Sequence, residues 1–331
     1  MKRTIIKSLI FLVLGLMLPL TGCFMDKLDD DIKFVFGEFP DTVRNITDLN
    51  SQYDDYNVGM LDGSGPIIFS TNWKSAGGQF DLEQGYISFT FDQKNGTFMF
   101  DAGISNNEHL DRLIRRAQTP YNDFGPYRFF NSQDGYEYLV LASANSNGSL
   151  DLKYLRNLPQ YGNSIPDIEG PFPVNLINTS SNDAYLCLDA NLDTAYYCSD
   201  RSGNFDIYLL KRSLDIGLAD WLDNGFTEGV RIESINSSAN DKCPLVYKNV
   251  LVFTSDRPGG LGGFDLYYSV FKNGNWSAPV NFGPGINTQY NEYRPFIGSH
   301  AEFSNQMLIF SSDRPGGKGR YDLYYTGFKV E

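Results

Sequence analysis

Apolar positions in this chain come mostly in short runs of a few residues, too short for helices and closed off by turn-forming residues. Near the end, YRPFIG (293–298), QMLIFSSD (306–313) and YDLYYTGF (321–328) are runs rich in Tyr, Phe and Ile, bounded by Gly, Pro, Asn and Asp. That is strand and turn chemistry. They predict an inner strand A, a strand B and an aromatic strand C; NWSAPVNFG (275–283) supplies strand D of the preceding unit. Between B and C, SDRPGG is a turn: proline fixes one φ and the glycines supply positive φ.

The unit repeats. FTSDRPGGLGGFDL (253–266) and FSSDRPGGKGRYDL (310–323) are near copies, and FSTNWKSAGGQFDL (69–82), LASANSNGSLDL (141–152) and YCSDRSGNFDIY (197–208) match by spacing. The anchoring aspartates are Asp81, Asp151, Asp206, Asp265 and Asp322, in steps of 70, 55, 59 and 57 residues. A second motif precedes each anchor: LNSQYDDYNV (49–58), TPYNDFGP (119–126), INTSSNDAYL (177–186), INSSANDKCP (235–244) and INTQYNEYRP (286–295). Four-stranded units at this period predict an all-β fold, a five-bladed β-propeller. The last copy ends after strand C. FPDTVRN (39–45) precedes LNSQYDDY as WSAPVNF precedes INTQYNEY, so the N-terminal strand is expected to complete the last blade and remove an open edge.

SDRPGG, the DLYY strand and the INTQYNEYRP segment resemble the TolB-type, WD40-like propeller repeat of envelope proteins of the Bacteroidetes type. The resemblance covers roughly residues 39–331. It implies a propeller and an envelope location, and no reaction. No OmpA-like domain follows, so peptidoglycan binding is not implied.

The N-terminus points the same way. Lys2, Arg3 and Lys7 precede a short apolar run (9–20), too short to span a membrane comfortably, and Leu20-Thr21-Gly22-Cys23 resembles a lipobox. Residues 1–22 are therefore expected to be a lipoprotein signal peptide, Cys23 the lipidated residue, 23–38 an acidic tether and 39–331 the propeller. FMDKLDDDIK (24–33) resembles a surface-export signal, which favours the cell surface over the periplasmic side of the outer membrane.

Composition narrows the partners. The formal net charge is −13; without residues 1–22 there are 24 basic and 40 acidic side chains, or −16. That excludes nucleic acid and anionic lipid as direct ligands. Two histidines, His109 and His300, lie in different repeats, which leaves no Ser–His–Asp or multi-histidine metal site, and no cofactor is expected. Cys187 and Cys198 fall on strands A and B of one hairpin, as a disulfide or as two buried thiols.

Each repeat places an acid at the start of strand A: Asp55, Asp123, Asp183, Asp241 and Glu292. A symmetric ring points to backbone capping or to pairing with the arginines of the SDR turns; a cation or partner at the channel mouth is the functional alternative. The one large insertion, SNNEHLDRLIRRAQ (105–118), reads as a helix between blades one and two, above the channel. Ser105 and Glu108 form a capping box; Leu110, Leu113, Ile114 and Ala117 form its apolar stripe, and Arg112, Arg115 and Arg116 its basic side. It is a packing lid or a docking element. Blades one and two also break the Asp-Arg turn, with Asn72-Trp73 and Ala144-Asn145. Trp73 is a candidate hot spot or sugar platform, unless it is buried against the helix.

The expectation from sequence is a lipid-anchored outer-membrane propeller without catalytic or metal residues, serving as a non-catalytic protein-binding scaffold of an envelope complex. Its binding surface would be centred on Trp73, Arg112, Arg115 and Arg116. The alternative is a surface glycan-binding or polysaccharide-degrading propeller, since five-bladed propellers can host carboxylate pairs around the channel.

Overall fold

The computed structural model describes residues 32–61, 63–158 and 167–329. Residues 1–31, and with them the signal peptide, Cys23 and most of the tether, lie outside the described residues. Five antiparallel sheets form the predicted propeller. Blade one is Asp55–Met60, Gly65–Thr71, Asp81–Asp92 and Thr97–Ile104; blade two is Asp123–Asn131, Tyr136–Ala144, Leu150–Asn157 and Ile168–Pro173. Blade three is Asp183–Leu188, Thr194–Ser199, Asp206–Lys211 and Val230–Arg231. Blade four is Asp241–Tyr247, Val250–Ser255 and Asp265–Lys272, with Asn275–Trp276 and Val280–Asn281 sharing the outer position. Blade five is Glu292–Gly298, Gln306–Ser312 and Asp322–Phe328, and its fourth strand is Arg44–Asn45 from the N-terminus.

Closure extends beyond that short pairing of Arg44 with Tyr325 and Asn45 with Tyr324. The Gly327 N–H donates to the Pro40 carbonyl at 2.6 Å. Asn305 accepts from the Phe39 N–H and donates to its carbonyl, at 2.8 and 2.9 Å. The buried Phe39 ring stacks on Phe303 at 4.1 Å and meets Phe89 of blade one edge-on at 4.9 Å.

Strand B is buried along its whole length in blades three and four, because each sheet is covered by a neighbouring blade on either face. The loops joining the blades are tied in a repeated way. A side chain just before each strand A (Asp54, Asn122, Asn182, Asn240, Asn291) accepts from a backbone N–H of the preceding blade, at Tyr321, Phe80, Leu150, Phe205 and Phe264.

The insertion forms helix α1 (Glu108–Ala117), and its four predicted apolar residues are all buried. Two details differ from expectation. The N-cap is Asn107, whose side chain accepts from the Leu110 N–H at 3.0 Å. The Ser105 hydroxyl instead donates to Gln84, so the capping-box residue is committed to a tertiary contact. And α1 does not cover the channel. It lies in the groove between blades, against Ile68 and Leu82 of blade one and Leu139, Leu141 and Leu155 of blade two. Cys187 and Cys198 are not bridged. Cys187 stands opposite Tyr196 and Cys198 opposite Ala184, so the register keeps the two buried thiols apart.

Candidate functional site at the channel mouth

The five strand-A acids are fully buried. Each accepts a hydrogen bond from the backbone N–H four residues earlier: Ser51 at 2.6 Å, Thr119 at 2.8 Å, Thr179 at 2.6 Å, Ser237 at 2.5 Å and Thr288 at 2.9 Å. In blades three to five an SDR-turn arginine takes the other oxygen: Arg201 meets Asp183 at 2.8 Å, Arg257 meets Asp241 at 2.5 Å and Arg314 meets Glu292 at 2.9 Å. Each of these arginines also donates from Nε to the serine two residues before it. The SDR motif is thus turn and ring-locking chemistry.

Blades one and two lack the arginine. Asp55 Oδ1 has no partner, and burial pushes its carboxyl from the usual 3.8 up to about 6. Burial also raises the Asp123 carboxyl. Because the folded state holds the Asp55 proton more tightly than the unfolded chain, its favourable contribution is complete below about pH 4 and lost as pH rises through about 6. Asp55→Asn removes that penalty. It is expected to be more stable than the parent near pH 7.5, by up to about 3 kcal/mol, and to match it at about pH 4. Urea denaturation at both pH values checks this; parallel profiles for the two proteins would show that Asp55 is not the strained acid.

Next to each acid, strand A is bulged. The register breaks between Tyr56 and Gly59, Phe124 and Tyr127, Ala184 and Cys187, Lys242 and Leu245, and Tyr293 and Phe296. One residue in each bulge adopts left-handed φ: Asn57 at 53°, Gly125 at 60°, Tyr185 at 55°, Cys243 at 55° and Arg294 at 57°. The conformation is unfavourable for all but glycine and, less so, asparagine. A common backbone therefore carries five different side chains around the channel.

The rim is aromatic. Tyr321 and Tyr56 lie 4.8 Å apart between ring centroids, Tyr56 and Phe80 5.0 Å, Phe80 and Phe124 5.1 Å, and Tyr293 and Phe264 5.2 Å. All six are half-buried. Lys242 bridges the next gap, with Nζ 4.5 Å from the Phe264 ring and 5.0 Å from that of Phe205. The band is interrupted at Leu150 and Ala184. Arg294 crosses the middle, its Cζ 4.6 to 4.8 Å from the Tyr56, Phe124, Tyr185 and Tyr293 rings. Deeper in the channel is a cavity of about 50 Å³, lined by Asn57, Tyr185, Cys243 and Arg294 among others.

Of the residues proposed from sequence as a binding surface, Trp73, Arg115 and Arg116 make no described ring or ion-pair contact with this rim constellation. Trp73 begins a short 3₁₀ turn and is half-buried, its indole N–H without a partner. Arg115 pairs with Asp111 on α1, and Arg116 donates to the Gly170 carbonyl of blade two at 2.6 Å. Arg112 is on the same helix. Trp221 and Trp276 are buried, in a second short helix (Leu218–Leu222) and in blade four. What sequence reasoning passed over was the variable residue between the strand-A acid and the position three after it. The aligned motifs display it as Asn57, Gly125, Tyr185, Cys243 and Arg294.

No family model matches the chain, and no curated protein matches its sequence. Solved structures share the architecture. The α-L-arabinofuranosidase of Podospora anserina, solved in complex with cellotriose, aligns with a TM-score of 0.50 over 90% of this chain and 99% of its own, at 15% identity. An exo-β-1,3-galactanase from Clostridium thermocellum also gives 0.50, over 87% of this chain and 63% of its own, at 10% identity. At these identities the likeness speaks for the fold.

It nonetheless corrects the functional expectation. Both of these solved structures are glycoside hydrolases and not TolB-type envelope propellers, so the TolB-type resemblance is withdrawn. The non-catalytic protein scaffold and the absence of enzyme activity that followed from it are withdrawn too. The physical reason is that the motifs that carried the resemblance lock turns and buried acids in blades three to five, which is structural work and carries no information about a ligand.

Proposed function

We propose that this chain is a carbohydrate-active propeller that receives a saccharide at the aromatic mouth of its channel. The observation that carries the reading is the half-buried band of Tyr56, Phe80, Phe124, Phe264, Tyr293 and Tyr321 around the channel. The C–H faces of a pyranose pack on flat aromatic rings, and a band of them accepts a sugar without demanding one hydrogen-bond pattern. The likeness to an arabinofuranosidase and a galactanase supports the same substrate class. The five strand-A carboxylates are sealed from solvent, so binding and cleavage need separate readouts. Attachment to the outer membrane through Cys23 remains part of the proposal, resting on the N-terminal sequence alone.

The test is a panel of soluble polysaccharides and oligosaccharides. Affinity electrophoresis and calorimetry read binding; release of reducing ends reads cleavage. Phe264→Leu and Tyr321→Leu keep apolar bulk but remove the flat face. Each is expected to weaken the best ligand by about tenfold or more, roughly 1.4 kcal/mol, with the melting temperature little changed. A chain that neither retains nor cleaves any saccharide defeats the proposal, as does a ligand indifferent to both variants.

A further inference from the structure

We infer that the channel mouth contains an anion subsite, formed by Arg294 and Lys242, that selects saccharides bearing a carboxylate or sulfate. The inference rests on the carbohydrate reading above and names its substrate class.

The first observation is a guanidinium with two unsatisfied nitrogens, beside the Cys243 thiol. Arg294 Nε and Nη1 are buried and have no hydrogen-bond partner. No described carboxylate forms an ion pair with Arg294, although the chain carries a large acidic excess. Buried arginine donors in native proteins are almost always satisfied, because leaving them empty costs about 1–3 kcal/mol and more for charged groups. Four aromatic rings offset part of that cost by cation–π attraction, but a ring face does not replace an acceptor in the guanidinium plane.

The second observation is a second cation at the same place. Lys242 Nζ lies 5.2 Å from the Tyr293 ring centroid, and Arg294 Cζ lies 4.8 Å from the same centroid. Lys242 likewise forms no described ion pair, although the Asp256 carboxylate attracts it at longer range. Burial first, and then charges that include Arg294, hold its ammonium pKa below the ordinary value. Two like charges converging on one ring in a half-desolvated mouth repel each other, and an anion between them relieves that repulsion.

The third observation is that the fold does not require either charge. The positions equivalent to Arg294 in the other blades hold Asn57, Gly125, Tyr185 and Cys243, on the same bulged backbone. Those equivalent to Lys242 hold Tyr56, Phe124, Ala184 and Tyr293. The adjoining cavity of about 50 Å³ is large enough for waters or a small anionic group, and much too small for a sugar ring. The ring of the saccharide therefore belongs on the aromatic rim, with only its charged substituent reaching inward.

The test uses the full chain and isothermal calorimetry. The probes are trigalacturonate, a sulfated galactan oligosaccharide, the neutral counterpart of each, and sodium sulfate. Arg294→Asn is the informative variant, since blade one already holds asparagine at the same bulge with φ of 53°. Lys242→Tyr places in blade four the residue found at that position in blades one and five. Thermal unfolding checks that both fold. At least one acidic oligosaccharide is expected to bind roughly tenfold to a hundredfold more tightly than its neutral counterpart, with most of that preference lost in Arg294→Asn and part of it in Lys242→Tyr. If neutral and acidic forms bind equally and neither variant changes their ratio, the subsite is wrong while the carbohydrate reading stands. If sulfate alone binds and no saccharide does, both the saccharide assignment and the proposed function fall.

Discussion

Removing residues 39–45 is expected to abolish the soluble monomer. Among the described residues this segment pairs with the outer edge of blade five from Tyr324 onward, beyond Leu323, which Ile46 and Asn50 hold, and without it that stretch of Asp322–Phe328 would present a row of unpaired backbone groups. Its loss removes the pairing of Arg44 and Asn45 with Tyr325 and Tyr324 and the 2.6 Å bond from Gly327 to Pro40. It also removes Phe39, which packs among Phe303 of blade five and Phe89 and Phe98 of blade one. The segment thus closes the ring between its first and last blades. Phe39→Ala tests the packing alone and should cost about 3–5 kcal/mol in urea denaturation. Light scattering after size exclusion reads the deletion: oligomers or insoluble protein are expected. A deletion mutant that stays monomeric with the parent's unfolding midpoint would mean that the ring does not depend on its N-terminal closure.

Blade organisation was legible because each blade needs the same few backbone solutions. The acid at the start of strand A caps the N–H four residues before it in all five copies, so spacing alone located the weak repeats. The apolar stripe of α1 was equally legible, since Leu110, Leu113, Ile114 and Ala117 share one face. Its location was not. A period of 3.6 says that a face is buried but not against what, and the partners Leu82, Leu139 and Leu155 come from strands of two blades. The cap misled for a similar reason: Ser105 and Asn107 are both good N-caps, and Gln84, from a different strand, decided between them.

The candidate site was harder to see. Repeat-breaking residues were sought in the turns, where Trp73 replaces an arginine. That substitution does mark a difference, since Asp55 is left without an ion-pair partner, but the residue is half-buried and makes no described ring contact with the rim. The more telling divergence lay two residues past the start of strand A. Tyr, Cys and Arg all disfavour left-handed φ, so nothing in their identity announces a bulge. Only the five-fold register break reveals that these side chains occupy equivalent positions around one channel.

Arg257→Ala should be among the most destabilising single substitutions in the chain, at about 3–5 kcal/mol. The reason is asymmetric. Asp241 is fully buried, and Arg257 reaches one of its oxygens at 2.5 Å while also donating to the Ile235 carbonyl at 2.6 Å and to the Ser255 hydroxyl at 2.9 Å. Truncating the arginine strands a carboxylate in a site that water does not reach, and leaves a carbonyl and a hydroxyl short of a donor. An exposed pair such as Lys329 with Glu38 offers a contrast, because solvent replaces whichever partner is lost. The double variant Arg257→Ala with Asp241→Asn separates the two contributions. Asparagine carries no charge and can still accept from the Ser237 N–H, so the pair should recover a large part of the loss. Chemical denaturation of parent, single and double variants decides it. If the single variant unfolds within about 1 kcal/mol of the parent, the acid is solvated through some route and the ring is not locked by its arginines. If the double variant is no better than the single, the arginine acts through its carbonyl and hydroxyl contacts and not through the charge it meets. Blade one already holds the natural counterpart, an acid in a blade whose turn carries Trp73 at the arginine position, with its carboxyl raised to about 6. The fold therefore tolerates one or two such unpaired acids, and the three paired blades are expected to supply the stability that makes the strained mouth sustainable.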